Sequence, residues 1–172
     1  HISNLFFYVV ACFLTGAITN ELLKRAVTSR AALGAGIVAG GLMLVYPGHP
    51  DSVATIVGRV DSLPTAFYLA SFYLYLLFRK AGSRSLLTAS LISFWLALGS
   101  KETAITLPAV LFAAEVLSLV GPSTDQSSAE PISIQKKFMA ALRLVVPYIA
   151  TLVVFAVLRT IVLHGQVGGY GK

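Results

Sequence analysis

The sequence predicts an all-α fold, a polytopic bundle of transmembrane helices, and composition is the first reason. Of the 172 residues, 56% are hydrophobic and 12% are charged, and the mean hydropathy is +0.82. A soluble domain carries about a quarter charged residues, so this chain has too few to cover a water-facing surface. Its apolar runs also approach membrane-spanning length, which disfavours the alternative of an unusually apolar soluble α-helical domain.

About six apolar segments are predicted to cross the membrane. In chain order they are residues 5–23, 31–47, 62–78, 85–100, 103–120 and 144–163. Several are shorter than the roughly 20 residues that span a bilayer, which is tolerated when neighbouring helices cover their ends or the bilayer thins locally. The polar segment 121–137 contains several Ser and Pro residues and is predicted to be a flexible cytoplasmic linker within one transmembrane domain, residues 1–172.

The positions of the basic residues predict the orientation of the helices. Nine of the 13 Lys and Arg residues lie in alternate connections, which the positive-inside rule assigns to the cytoplasm. These nine are Lys24, Arg25, Arg30, Arg79, Lys80, Arg84, Lys136, Lys137 and Arg143. The opposite face then contains His1, Asn4, residues 49–61, Lys101–Glu102 and residues 164–172. Since the charges follow topology, they do not indicate a nucleic-acid partner.

The stretch H-P-D-S-V-A-T-I-V-G-R-V-D concentrates polar residues between two apolar runs. Its ionisable residues are His49, Asp51, Arg59 and Asp61. Residues 50–60 are predicted to form an amphipathic helix that starts at a proline and carries Asp51 and Arg59 on its polar face. Those two residues are roughly 12 Å apart along such a helix, so each is available to another partner. The alternative is an interfacial helix whose charges meet only water.

Two further polar positions fall on the same predicted face. Lys101 and Glu102 lie in S-K-E-T, a tight turn between spans, where a cation suits a lipid phosphate and a carboxylate orients it or acts as a base. Alternatively, Glu102 only stabilises the start of the next helix through its dipole. Near the other end of the chain, Arg159 is interpreted as snorkelling out of the membrane, ahead of His164.

Glu115, inside a predicted span, has no evident partner in the sequence.

The motifs that the chain lacks narrow the chemistry. It has no H-E-x-x-H, no clustered His or Cys and no G-x-S-x-G, so neither a metal site nor a serine hydrolase is predicted. The single cysteine, Cys12, excludes an intramolecular disulfide. A transporter would carry its charges near the bilayer midplane, whereas here they gather at one rim.

Three segments resemble a known family. H-I-S-N-L at the start, H-P-D-S-V-A-T-I-V-G-R-V-D-S-L and S-K-E-T-A-I-T-L-P are similar to the membrane half of the transmembrane and tetratricopeptide-repeat O-mannosyltransferase-like proteins. The resemblance covers nearly the whole chain. It implies a C-type glycosyltransferase fold in the bacterial inner membrane or the endoplasmic reticulum, with its site on the periplasmic or luminal side.

The resemblance also implies an activity and roles for residues. A mannose-like sugar would pass from a polyprenyl or dolichyl phosphate carrier to a protein or other acceptor, without a cofactor or a metal. Arg59 and Lys101 would bind the donor phosphate, because cations at the edge of the bundle, where water is partly excluded, stabilise phosphoryl oxygens. The supporting residues would be His49, Asp51, Asp61, Glu102, Arg159 and His164. The catalytic acid is expected upstream of His1, and membrane lipids are expected partners.

Two other functions are consistent with the same sequence. One is a non-catalytic membrane scaffold that keeps the helix bundle and lacks the chemistry. The other is a small-solute transporter, which intramembrane charges also fit.

Overall fold

The protein is described by a computed structural model covering residues 2–46, 59–117, 119–120 and 134–162. Its helices are α1 (Ile2–Leu23), α2 (Ser29–Val45), α3 (Arg59–Ala81), α4 (Arg84–Ser100), α5 (Leu107–Val116) and α6 (Ile134–Val162), with a short 3₁₀ helix, Glu102–Thr106, between α4 and α5. No strand occurs within these ranges, which confirms the predicted all-α class.

Several predicted boundaries differ from the observed ones. Helix α3 begins at Arg59, so this residue belongs to α3, whereas the sequence placed it in a separate helix 50–60 ahead of a span that starts at residue 62. Helix α6 begins at Ile134, so residues 134–137 are helical although the sequence assigned them to the linker. The run I-Q-K-K-F-M-A-A-L contains good helix formers and neither Gly nor Pro, so the helix extends toward its start. The predicted span 103–120 is divided, because its first residues form the 3₁₀ helix and α5 ends at Val116.

Within the described ranges, two helices are long and apolar enough to cross a membrane by length and composition. They are α1 and the part of α6 from Lys137 to Val162, and α2 is a shorter apolar helix. Helices α4 and α5 have 17 and 10 residues, respectively, below the roughly 20 that a bilayer requires. The arrangement of six spans therefore stays a prediction.

Close backbone contact between α1 and α2 depends on glycine. A Cβ atom added at Gly36 would lie 2.6 Å from the Gly16 carbonyl oxygen, and one added at Gly40 would lie 2.8 Å from the Cys12 carbonyl oxygen. Both distances are well inside van der Waals contact, so a larger residue would separate the helices. Small residues allow this kind of approach in helix pairs that lie in lipid.

The main core lies among α3, α4, α5 and α6. Its fully buried side chains include Tyr75, Phe94, Leu107, Leu111 and Tyr148. The α3–α4 connection is short because Gly82, at φ +67°, ends α3 in the left-handed conformation and its amide donates to the Phe78 carbonyl at 2.8 Å. Helices α3 and α4 therefore pack antiparallel, which brings the start of α3 and the end of α4 to the same end of the bundle.

A buried polar network crosses this core. The Ser71 hydroxyl donates to the Ser90 carbonyl at 2.8 Å, and the Ser90 hydroxyl lies 2.6 Å from both the Ser71 carbonyl and the Tyr148 hydroxyl. The network joins α3, α4 and α6 through side chains that have almost no exposed surface. Such bonds rigidify a core when every member is satisfied.

Large apolar side chains remain exposed on the outer faces of α1, α2 and α6. Examples with more than half their surface exposed are Phe6, Phe13, Ile37, Leu42, Val153 and Ile161. A contiguous apolar surface of this kind is unusual on a soluble monomer and is typical of contact with lipid or protein.

Candidate functional site

An open groove lies at the end of the bundle where α4 ends. Its volume is about 810 Å³, and it is bounded by the end of α4, the 3₁₀ helix and the last turns of α6. The floor is apolar and consists of Trp95, Leu98, Phe155, Leu158 and Val162. The rim is polar and carries Ser100, Lys101, Glu102, Thr103 and Arg159. One surface thus combines an apolar floor with charged groups.

The local sequence explains why Lys101 and Glu102 lie at the lip. Lys101 leaves the helical conformation (φ −157°, ψ 142°) while its amide still donates to the Ala97 carbonyl at 3.0 Å, which ends α4. Pro108 occupies the first turn of α5, where its missing amide hydrogen costs no helical bond. The intervening residues form the 3₁₀ helix, a tighter element. The turn is therefore short and holds both charged residues at the groove.

The rim contains an ion pair between distant parts of the chain. The Arg159 guanidinium on α6 donates to the Glu102 carboxylate on the 3₁₀ helix. Both side chains contact water, since Arg159 is 35% exposed and Glu102 is 67% exposed. An exposed pair contributes about 0–1 kcal/mol. A better anion can therefore replace Glu102 as the partner of Arg159 at little energetic cost.

Aromatic side chains form the floor beneath these charges. Trp95 on α4 and Phe155 on α6 meet edge to face, with ring centroids 5.5 Å apart and planes at 88°. This geometry is favourable for aromatic pairs. The floor of the groove is thus apolar and includes residues of both α4 and α6.

A second polar cluster lies at the opposite end of α3. The Glu115 carboxylate accepts from Arg79 Nε at 2.6 Å and Nη2 at 3.1 Å, and from the Tyr75 hydroxyl at 2.7 Å. The Glu115 side chain is 6% exposed and that of Arg79 is 22% exposed. A bidentate pair with an additional hydrogen bond is satisfied within the fold. We therefore interpret this cluster as structural.

The basic residues nearest to this cluster also have acidic partners. The Lys80 ammonium lies 3.2 Å from the Glu21 carboxylate, which also pairs with Lys24. Three of the residues assigned to cytoplasmic connections, Lys24, Arg79 and Lys80, thus gather at one end of the bundle, away from the groove.

The structure brings three of the predicted site residues together, namely Lys101, Glu102 and Arg159. The backbone of Arg59 and Asp61 lies in the first turn of α3, at the same end of the bundle, but their side chains are outside the described part of the structure. His49, Asp51, His164 and the first residues of the predicted helix 50–60 also lie outside the described residues. Their predicted roles stay predictions.

Two interactions were missed by the sequence analysis. Arg159 does not only snorkel to water, because it pairs with Glu102 across 57 positions of the chain. Glu115 has partners, Arg79 and Tyr75, although none was evident in the sequence. One signal was available, since Tyr75 and Arg79 are four residues apart and share a face of α3. Among the described residues, no group of three or more His, Cys, Asp or Glu is placed to hold a metal ion.

Comparison with known proteins finds similarity to one long relative. This relative is Protein O-mannosyl-transferase Tmtc1 of Drosophila melanogaster. The two sequences are 34% identical over 124 residues, which cover 70% of this chain. The matched segment is 13% of that protein, so the chain corresponds to a small part of it. No protein-family model matches the chain, and no solved structure matches it significantly. The chain is therefore related to one segment of an O-mannosyltransferase.

Proposed function

We propose that this chain forms the donor-binding part of a membrane glycosyltransferase that uses a lipid-linked sugar. The sugar is mannose-like, the carrier is a polyprenyl or dolichyl phosphate, and the acceptor is a protein or another hydroxyl-bearing molecule. The observation that carries the proposal is the groove in which Lys101 and Arg159 lie above an apolar floor. The similarity to a segment named as an O-mannosyltransferase supports the reaction class.

The groove fits an amphipathic anion better than it fits a neutral or cationic ligand. Among the described residues, its rim has two cations, Lys101 and Arg159, and one anion, Glu102. Arg binds phosphate oxygens through two parallel hydrogen bonds. The apolar floor below accommodates the first isoprene units of the carrier, so the phosphate and the hydrocarbon each meet a matching surface.

The donor phosphate replaces Glu102 as the partner of Arg159. The exposed ion pair contributes little to stability, whereas a charge-assisted bond to phosphate at a partly apolar site is stronger. Glu102 is then released beside the bound sugar phosphate, where it serves to orient the acceptor. Before the donor binds, the same carboxylate neutralises Arg159 at the edge of the bundle.

We further propose that the bundle lies in a membrane with the groove on the non-cytoplasmic side. The exposed apolar faces of α1, α2 and α6 support lipid contact, as do the two helices of spanning length. The basic residues Lys24, Arg79 and Lys80 gather at the end opposite the groove. This distribution agrees with the positive-inside rule.

Sugar transfer by the full-length protein tests the proposal. Purified protein in detergent or nanodiscs receives a radiolabelled polyprenyl-phosphate-linked mannose and an acceptor peptide that contains Ser and Thr. Lys101→Ala and Arg159→Ala should each weaken donor binding about tenfold or more, since a hydrogen bond to a charged group contributes about 1.5–3 kcal/mol. Arg84→Ala is the matched control, because Arg84 is an exposed cation at the other end of α4.

The outcomes separate the candidate functions. Loss of transfer in both rim variants with normal transfer in Arg84→Ala supports the enzyme. Equal transfer by all three variants contradicts the assignment of the groove. Absence of both transfer and donor binding in the wild-type protein favours the membrane scaffold.

A further inference from the structure

A second, smaller cavity adjoins the 3₁₀ helix. It has a volume of about 190 Å³ and lies between the start of α3 and the 3₁₀ helix. It is lined by Pro64, Thr65, Tyr68, Leu69, Thr103, Ala104 and Thr106, of which four carry hydroxyl groups. None of these described lining residues is charged. We call it the hydroxyl niche.

Two of the hydroxyl groups in the niche are joined by a hydrogen bond. The Thr106 hydroxyl donates to the Thr103 carbonyl at 2.9 Å, which uses its only proton. The Tyr68 hydroxyl, 3.3 Å from the Thr106 oxygen, must therefore be the donor in that contact. A hydroxyl oxygen has two lone pairs, so the Tyr68 and Thr106 oxygens each retain acceptor capacity that a ligand with hydroxyl donors can use.

The niche and the groove share a residue. Thr103, near the start of the 3₁₀ helix, lines both cavities. The two cavities therefore adjoin at this residue. A ligand whose phosphate lies at the groove rim can place a directly attached ring past Thr103 in the niche.

The geometry points to the hydroxyl niche as the binding site for the hexose ring of the lipid-linked donor, whose phosphate lies at Lys101 and Arg159. This inference rests on the proposed function and adds the subsite for the sugar. The four hydroxyl groups among the described lining residues favour a ligand that carries hydroxyl groups over a hydrocarbon. A hexose supplies several hydroxyl donors and a compact ring of the size that the niche admits.

The residues of the niche also determine selectivity between sugar-bearing and sugar-free carrier. A carrier phosphate without a sugar uses only the groove, so changes in the niche should not alter its affinity. A carrier with a hexose uses both cavities and loses affinity when a niche hydroxyl is removed. Tyr68→Phe keeps the ring and the packing of the side chain while it removes one hydroxyl group.

The test compares two probes, mannosyl-phosphoryl polyprenol and polyprenyl phosphate, on the full-length protein in nanodiscs. Tyr68→Phe and Thr106→Val should each weaken binding of the mannosylated probe about three- to tenfold, as expected for one neutral hydrogen bond. Binding of polyprenyl phosphate should stay within twofold of wild type. Thr106→Ser restores the hydroxyl and should restore the affinity.

Thr160→Val is the matched control. It removes an exposed hydroxyl on α6 that bonds only to its own helix, at the Val157 carbonyl, and Thr160 lines neither cavity. Neither probe should bind it differently. Equal losses for both probes in Tyr68→Phe would indicate a general disturbance and overturn the assignment of the niche to the sugar.

The two proposals fail in different ways. If the wild-type protein binds neither probe, the proposed function fails and the niche assignment fails with it. If the wild-type protein binds both probes and the niche variants bind the mannosylated one normally, only the niche assignment fails. Weaker binding of the mannosylated probe alone supports both.

Discussion

Removal of the buried carboxylate of Glu115 should destabilise the protein far more than removal of the exposed carboxylate of Glu102. Glu115 accepts three hydrogen bonds, two from Arg79 and one from Tyr75. In Glu115→Ala, Arg79 keeps its charge without a counter-charge and the buried Tyr75 hydroxyl loses its acceptor. Breaking a buried pair costs about 3–5 kcal/mol.

The magnitude follows from the exposure of the partners. Since the Arg79 side chain is 22% exposed and reaches water, we expect the lower end of that range, about 3 kcal/mol. Glu102→Ala removes one bond between two exposed groups, which contributes at most about 1 kcal/mol. For a chain of this size, 1 kcal/mol shifts the midpoint of thermal unfolding by about 2–4 °C. We therefore expect a loss of about 6–12 °C for Glu115→Ala and at most about 4 °C for Glu102→Ala.

Thermal unfolding of both variants in detergent micelles, followed by circular dichroism, measures the difference. A double-mutant cycle isolates the pair: Arg79→Ala together with Glu115→Ala should cost less than the sum of the single changes, by about 0.5–3 kcal/mol. Equal midpoints for Glu115→Ala and Glu102→Ala would refute the distinction between a structural and an exchangeable ion pair. Additive costs in the cycle would refute the direct contact.

Three further changes test the packing and the groove. Gly36→Ala should lower the free energy of unfolding by about 1–3 kcal/mol, because the added Cβ would meet the backbone of Gly16. Gly34→Ala is the control, since nothing lies within 4 Å of an added Cβ there, and it should be neutral or stabilising in the same thermal-unfolding experiment. Tyr148→Phe leaves the buried Ser90 hydroxyl with one partner fewer and should cost about 1–2 kcal/mol by denaturant titration; a cost of zero would contradict the buried network. Trp95→Ala removes much of the groove floor and should weaken binding of a long-chain polyprenyl phosphate while inorganic phosphate binds as before; equal effects on both ligands would contradict the role of the floor.

Local patterns in the sequence predicted the elements, and tertiary packing determined which charges meet. Long apolar runs predicted the all-α class, and S-K-E-T predicted a tight turn that holds Lys101 and Glu102 at the lip of the bundle, as observed. The partner of Glu102 lies 57 positions away on α6, and no spacing within one helix encodes such a contact. For the same reason, the sequence predicted only snorkelling to water for Arg159.

Arg79 is a second residue whose partner could not be predicted from local sequence patterns. Its position in a basic cluster predicted a cytoplasmic connection, and charge counting gave no reason to pair it with one acid. In the structure the end of α3 packs near the end of α5, which brings Arg79 within 2.6 Å of Glu115. The boundary differences at Ile134 and at the 3₁₀ helix are local and follow from helix propensity and from the position of Pro108.

Binding of polyprenyl phosphate to Glu102→Gln tests the central claim most directly. If the phosphate replaces Glu102 as the partner of Arg159, removal of the competing carboxylate charge should tighten binding by about two- to fivefold. This factor corresponds to the free-energy contribution of an exposed ion pair. Arg159→Ala should weaken binding about tenfold or more in the same titration. Weaker binding by Glu102→Gln, comparable to that by Arg159→Ala, would contradict the exchange and with it the proposed mode of donor recognition.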